Sequence, residues 1–166
     1  MLENYKKHVA ERAEQNIPPL PLDADQTSEL VELLKKDHQE SDFLLNLLKE
    51  RVPAGVDQAA YVKAAFLADI TTGKASSPYI TKIDAVKILG TMLGGYNIQP
   101  LIECLKDNEL AEAAAHVLSR TLLIFDAFNE IFELSKTSEH AKKVVEEWAN
   151  ATSVSYTHLR AHETSF

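Results

Sequence analysis

Few side chains in this chain are of types and spacings that could do chemistry. Cys104 is the only cysteine among 166 residues. It can neither close an internal disulfide nor, alone, supply the three or four thiolates of a metal–sulfur cluster. It sits with Leu101, Ile102 and Leu105 in a short apolar segment. That setting reads as a buried structural thiol, since a reactive cysteine needs electropositive, accessible surroundings. His8, His38, His116 and His140 are scattered, with no i, i+4 pairing and no carboxylate motif beside them. His116 lies beside an apolar stripe, where a hydrogen-bonded structural histidine is expected. His158 and His162 do stand four apart and imitate a helical metal pair. Gly90, Gly94 and Gly95 lack the order of a dinucleotide-binding loop, and no Gly-Lys-Ser/Thr follows them. Helix termination is their expected role. Glu139, Glu146 and Glu147 interleave with Lys142 and Lys143 as a solvated, ion-paired face. We therefore assign no catalytic, no cofactor-binding and no metal-ligating residue from the sequence.

The elements that would have to position any site are helices. Residues 2–15 place Leu2, Tyr5, Val9 and Ala13 on one face, and Ile17-Pro18-Pro19-Leu20-Pro21 ends that helix by removing donors and fixing an extended path. Asp23 or Asp25 caps a second helix carrying Leu30, Val31, Leu33 and Leu34. Ser41 or Asp42 opens a third with Phe43, Leu44, Leu47 and Leu48. After the turn Pro53-Ala54-Gly55, Asp57 caps a helix over residues 58–72 whose only full charges are Lys63 and Asp69. Its apolar residues, Ala60, Tyr61, Ala64, Phe66, Leu67, Ala68 and Ile70, cover most of the circumference, as expected of a helix contacted on several sides. Thr81 caps the next helix, Gly94-Gly95 stop it, and Asn97 caps another. The longest periodic run takes in Leu110, Ala113, Ala114, Val117, Leu118, Thr121, Leu122 and Phe125. The alanines between Ala111 and Ala115 leave room for a neighbouring helix. Phe128, Ile131, Phe132 and Leu134 continue the pattern, and Thr137 or Ser138 caps a last helix with Val144, Val145 and Trp148.

The expected class is all-α: an antiparallel helical array of about nine helices, because short connections make neighbours run oppositely. Helix pairs recur about every thirty to forty residues, the range of helical solenoids, so an irregular HEAT-like α-solenoid is chosen over a closed bundle.

Composition limits the partners. Lys and Arg number 17 against 25 Asp and Glu, a formal net charge of −8. Such a surface repels a phosphate backbone and an anionic membrane, so neither nucleic acid nor a membrane is an expected partner. Apolar runs are too short to span a bilayer, and the N-terminus resembles neither a secretory signal nor a transit peptide. With one cysteine, these features point to the cytoplasm. From Ser153 the text changes character, and Val154 to Thr164 resembles one translated frame of a sequencing adapter. Residues 1–152 are accordingly read as one HEAT-like helical domain, and 153–166 as a non-native read-through tail, disordered or weakly ordered.

Four ordered segments resemble the N-terminal domain of the bacterial aconitase B family. They are Met1 to Arg12; Arg51-Val52-Pro53-Ala54-Gly55-Val56-Asp57 running on to Ala64; Leu89-Gly90-Thr91-Met92-Leu93-Gly94-Gly95-Tyr96-Asn97 running on to Ile102; and Leu118 to Asp126. The resemblance implies a HEAT-like domain that docks on downstream catalytic domains and supports protein–protein contacts. It also implies a parent enzyme that isomerises citrate and isocitrate through cis-aconitate, and hydrates 2-methyl-cis-aconitate, with a [4Fe–4S] cluster. The family's cluster cysteines and substrate-binding residues belong to later domains, and no position here matches them. The partners implied are the downstream catalytic domains, with a homodimer or another protein as further candidates. A free-standing helical scaffold for an unrelated partner is the alternative.

Overall fold

A computed structural model describes the backbone of residues 1–121 and 125–163 and the side chains of residues 1–121 and 127–151. Its described residues form nine helices and no strand: α1 (Leu2–Glu14), α2 (Ala24–Leu34), α3 (Ser41–Glu50), α4 (Gln58–Thr72), α5 (Lys82–Thr91), α6 (Ile98–Cys104), α7 (Ala111–Ser119), α8 (Phe125–Ser135) and α9 (Glu139–Glu163). The chain divides into two compact units, Met1–Pro100 and Leu101–Phe166. The side chains of the His158 and His162 pair, and all those of the tail, lie outside the described residues.

In the first unit α4 packs against both α2 and α5, and α2 against α3. This is the central position expected of a helix with apolar residues nearly all round. Ala59, Ala60, Ala64, Phe66, Leu67 and Ile70 are buried, but Tyr61 points outward. The helix starts follow local chemistry. Asp23 caps α2 in a capping box with Gln26, and Thr81 caps α5 with Asp84 in the same way. The Asp57 carboxylate accepts the Ala59 N–H at the start of α4. The proline segment after α1 is tied down from a distance. Arg51 donates through Nε to the Tyr5 hydroxyl and through Nη2 to the Pro19 carbonyl, and its own carbonyl accepts the Leu22 N–H. Of the face expected on α1, Tyr5 is buried, while Ala13 is exposed. The buried Tyr5, the Lys6–Glu40 pair, the Met1 amino group on Glu29 and the Leu20 N–H on His8 hold that helix, rather than a full apolar stripe.

In the second unit α9 packs against α7 and α8. Ala111, Ala114 and Ala115 are buried on α7, facing the close approach that small side chains permit. The periodic run from Leu110 does not form one helix. α7 ends at Ser119, with Arg120 as its C-cap, and α8 begins at Phe125. The Trp148 indole N–H of α9 donates to the Leu118 carbonyl at 3.0 Å, joining the Thr121 N–H (3.1 Å) on that acceptor at the end of α7. Leu122 and the Phe125 side chain, expected on the same stripe, lie outside the described residues. Ser138 opens α9, its hydroxyl accepting the Ala141 N–H.

Candidate functional site

Two loops of the first unit, some forty residues apart in sequence, meet backbone to backbone. The Gly55 N–H donates to the Leu93 carbonyl at 3.2 Å, and the Tyr96 hydroxyl to the Val56 carbonyl at 3.2 Å. Gly94 allows this approach: a Cβ there would overlap the Gly55 Cα and stand 2.5 Å from its carbonyl carbon and oxygen. Gly94 also has φ +102°, a region open to glycine and costly to other residues. Asn97 fixes the second loop from below. It is buried, and its Nδ2 donates to the carbonyls of Leu89 (2.7 Å) and Met92 (3.1 Å) at the end of α5. The residue expected to open α6 thus also closes the helix before it.

The outer side of this knuckle is apolar. Val56 is 78% exposed, Leu93 72% and Tyr61 53%, and Tyr61 meets Tyr96 edge to face at 5.5 Å. A second apolar ledge lies in the other unit, where Phe128 (42% exposed) and Phe132 (44%) stack on each other and Phe128 stacks on Trp148.

On its inner side the knuckle borders a hollow of about 120 Å³ lined by Lys49, Val52, Pro53, Ala54, Lys63, Thr91, Met92 and Leu93. Lys63 is only 5% exposed. Burial pushes its ammonium down from the ordinary 10.5 to about 8, with a smaller opposing pull from Glu50. Among the described residues no carboxylate forms an ion pair with it. No fully enclosed side-chain nitrogen or oxygen of the described residues lacks a hydrogen-bond partner. The Lys63 ammonium therefore keeps its polar contact through the hollow. In the sequence Lys63 is one of only two full charges on an otherwise apolar helix. That isolation was the available signal.

The other chemistry-bearing residues serve the fold or face solvent. Cys104 is buried. His8 Nε2 accepts the Leu20 N–H, and His38 Nδ1 accepts the Glu40 N–H. His116, expected as a hydrogen-bonded structural histidine beside its stripe, is exposed, because the stripe of α7 runs through Ala114, Ala115 and Leu118. Gly94 and Gly95 follow α5 as expected, and the close backbone contact is a further role the sequence did not show. Among the described residues no group of three or more His, Cys, Asp or Glu could hold a metal ion. None of their helices is long and apolar enough to cross a membrane.

The knuckle is built from two of the segments that carry the family resemblance, 51–64 and 89–102. Residues 4–153 match the family model described as the aconitate B N-terminal domain. The chain belongs to this family. It is 57% identical over 153 residues to aconitate hydratase B of Escherichia coli (strain K12), covering 91% of this chain and 18% of that protein. It is 55% identical over 152 residues to the aconitate hydratase B of a Synechocystis strain (90% and 18%), and 48% over 152 residues to that of Helicobacter pylori (90% and 18%). The chain thus spans about 18% of the length of the curated relatives it matches. Those relatives are hydratases by name. An iron–sulfur cluster, which such a parent implies, does not fit the residues of this chain: one buried cysteine cannot replace three thiolates.

Proposed function

We propose that this chain is a non-catalytic docking and protein-interaction domain of an aconitate hydratase B-like enzyme. The rigid, exposed apolar knuckle formed by Val56, Tyr61, Leu93 and Tyr96 carries this reading. A close glycine contact and two inter-loop hydrogen bonds hold these apolar groups in water, an arrangement suited to a partner that covers them. The partner is the remainder of the parent enzyme, whose relatives are more than five times the matched length. The Phe128 and Phe132 ledge supports the same role. The helical array serves it as a HEAT-like scaffold, which presents broad surfaces built from stacked helices. The parent reaction is citrate–isocitrate isomerisation through cis-aconitate, in the cytoplasm, with its [4Fe–4S] cluster held by residues other than these.

The test is an assay of cis-aconitate hydration by the purified chain after incubation with ferrous iron and sulfide. The reading expects no turnover above buffer. Turnover that grows in proportion to the chain would defeat it.

A further inference from the structure

Beyond docking, the Lys63 hollow has the makings of a ligand site. The ends of α3 and α5 supply its walls, through Val52, Pro53 and Ala54 on one side and Thr91, Met92 and Leu93 on the other. Polar and apolar atoms share these walls about equally, and the Lys63 side chain, largely buried, reaches solvent only through the hollow. An ammonium largely withdrawn from water and not ion-paired carries a cost, and an anion entering the hollow would offset it. Glu50 acts on Lys63 only through space and does not bond to it. Lys49 stands exposed at the rim and adds a second positive charge. The volume, about 120 Å³, equals the share of about four waters at about 30 Å³ each and approaches a cavity of about 150 Å³ that takes up benzene, so a small organic guest fits. The anion is therefore one charged head on a short apolar body.

Its charge is limited as well. Two helix C-termini border the hollow, and their carbonyl ends carry partial negative charge. They oppose any anion, a doubly charged one such as phosphate more than a singly charged one, so a carboxylate is favoured through its pairing with Lys63 and Lys49. We infer that the hollow between the ends of α3 and α5 is a binding site for a single carboxylate group, which pairs with Lys63 while its short apolar body lies against Val52, Pro53, Met92 and Leu93. The carboxylate could come from a free short-chain acid or from an Asp or Glu side chain of a protein segment.

The test is a titration of the ¹⁵N-labelled chain at pH 7 with sodium propionate, sodium chloride being exchanged out to hold ionic strength constant. Saturable amide shifts are expected at Val52, Ala54 and Thr91 to Leu93. Lys63→Met, which keeps the apolar bulk, should weaken binding at least tenfold, and Lys49→Met by only two- to threefold. On the unsubstituted chain, propionate should raise the Lys63 pKa, read from the ¹³Cε shift, because a carboxylate stabilises the ammonium. A parallel arm uses N-acetyl-glutamate N-methylamide. Tighter binding of propionate assigns a free acid, and tighter binding of the capped glutamate assigns a protein side chain; either order upholds a carboxylate site. Linear, non-saturating shifts, an unmoved Lys63 pKa, unchanged binding in Lys63→Met, or a preference for inorganic phosphate would overturn it.

Discussion

Replacing Lys63 by Met should stabilise the fold at neutral pH, against the usual expectation for a buried position. The ammonium titrates near 8 in the fold against the ordinary 10.5 of a solvated lysine. At about 1.4 kcal/mol for each pH unit, this difference disfavours the charged fold by about 3 kcal/mol. The sign follows from proton counting. Below pH 8 both folded and unfolded chains hold the proton and the whole penalty applies. Between 8 and 10.5 the unfolded chain binds more protons, so stability rises with pH; above 10.5 the penalty is gone. Methionine has similar length and no charge, and removes the term at every pH. Contact with solvent through the hollow trims the gain, so about 2–3 kcal/mol is expected at pH 7, shrinking steadily toward pH 10. The assay is urea unfolding followed by circular dichroism at 222 nm, in carboxylate-free buffer, with both chains at pH 7 and pH 9.5. Comparing the two chains cancels the other groups that titrate in this range. A destabilised Lys63→Met at pH 7, or a difference that stays constant to pH 9.5, would refute the argument.

Other substitutions test the knuckle and the second unit. Gly94→Ala should lose about 3 kcal/mol in the same unfolding assay, from clash plus backbone strain, whereas Gly95→Ala, with the same φ but open space, should lose only about 1 kcal/mol. Asn97→Ala leaves the Leu89 and Met92 carbonyls without their buried donor and should cost about 2 kcal/mol. Trp148→Phe keeps the aromatic packing but removes the hydrogen bond to Leu118, for a loss of about 1 kcal/mol in thermal unfolding. The Cys104 thiol should react with a disulfide reagent only slowly in the native chain and at once in denaturant, since it is buried.

What was legible in the sequence was mostly what neighbouring residues decide. The apolar circumference of 58–72 announced a central helix, and Asp57 and Thr81 announced its start and that of α5, because both signals act within a turn of the residues that carry them. The break after Ser119 was hidden, since one group that satisfies the end of α7 is an indole thirty residues further on. The meeting of Gly55 with Gly94 was hidden for the same reason. A glycine that stops a helix and one that admits another backbone read identically in one sequence. Lys63 was visible as an odd charge, but only the packing of α4 shows that it is buried beside a hollow. His116 shows the limit of position alone: beside an apolar stripe it still faces water, since the stripe is as narrow as that of small alanines.

The central claim is that this chain docks on the rest of an aconitate hydratase B-like enzyme. Its most direct test mixes the purified chain with the Escherichia coli relative lacking the part that this chain matches, and follows both association by calorimetry and hydration of cis-aconitate. The account predicts a one-to-one complex that is lost when Leu93 and Tyr61 are replaced by Ser, and activity that the chain alone never shows. No association, or hydration by the chain without its partner, would contradict it.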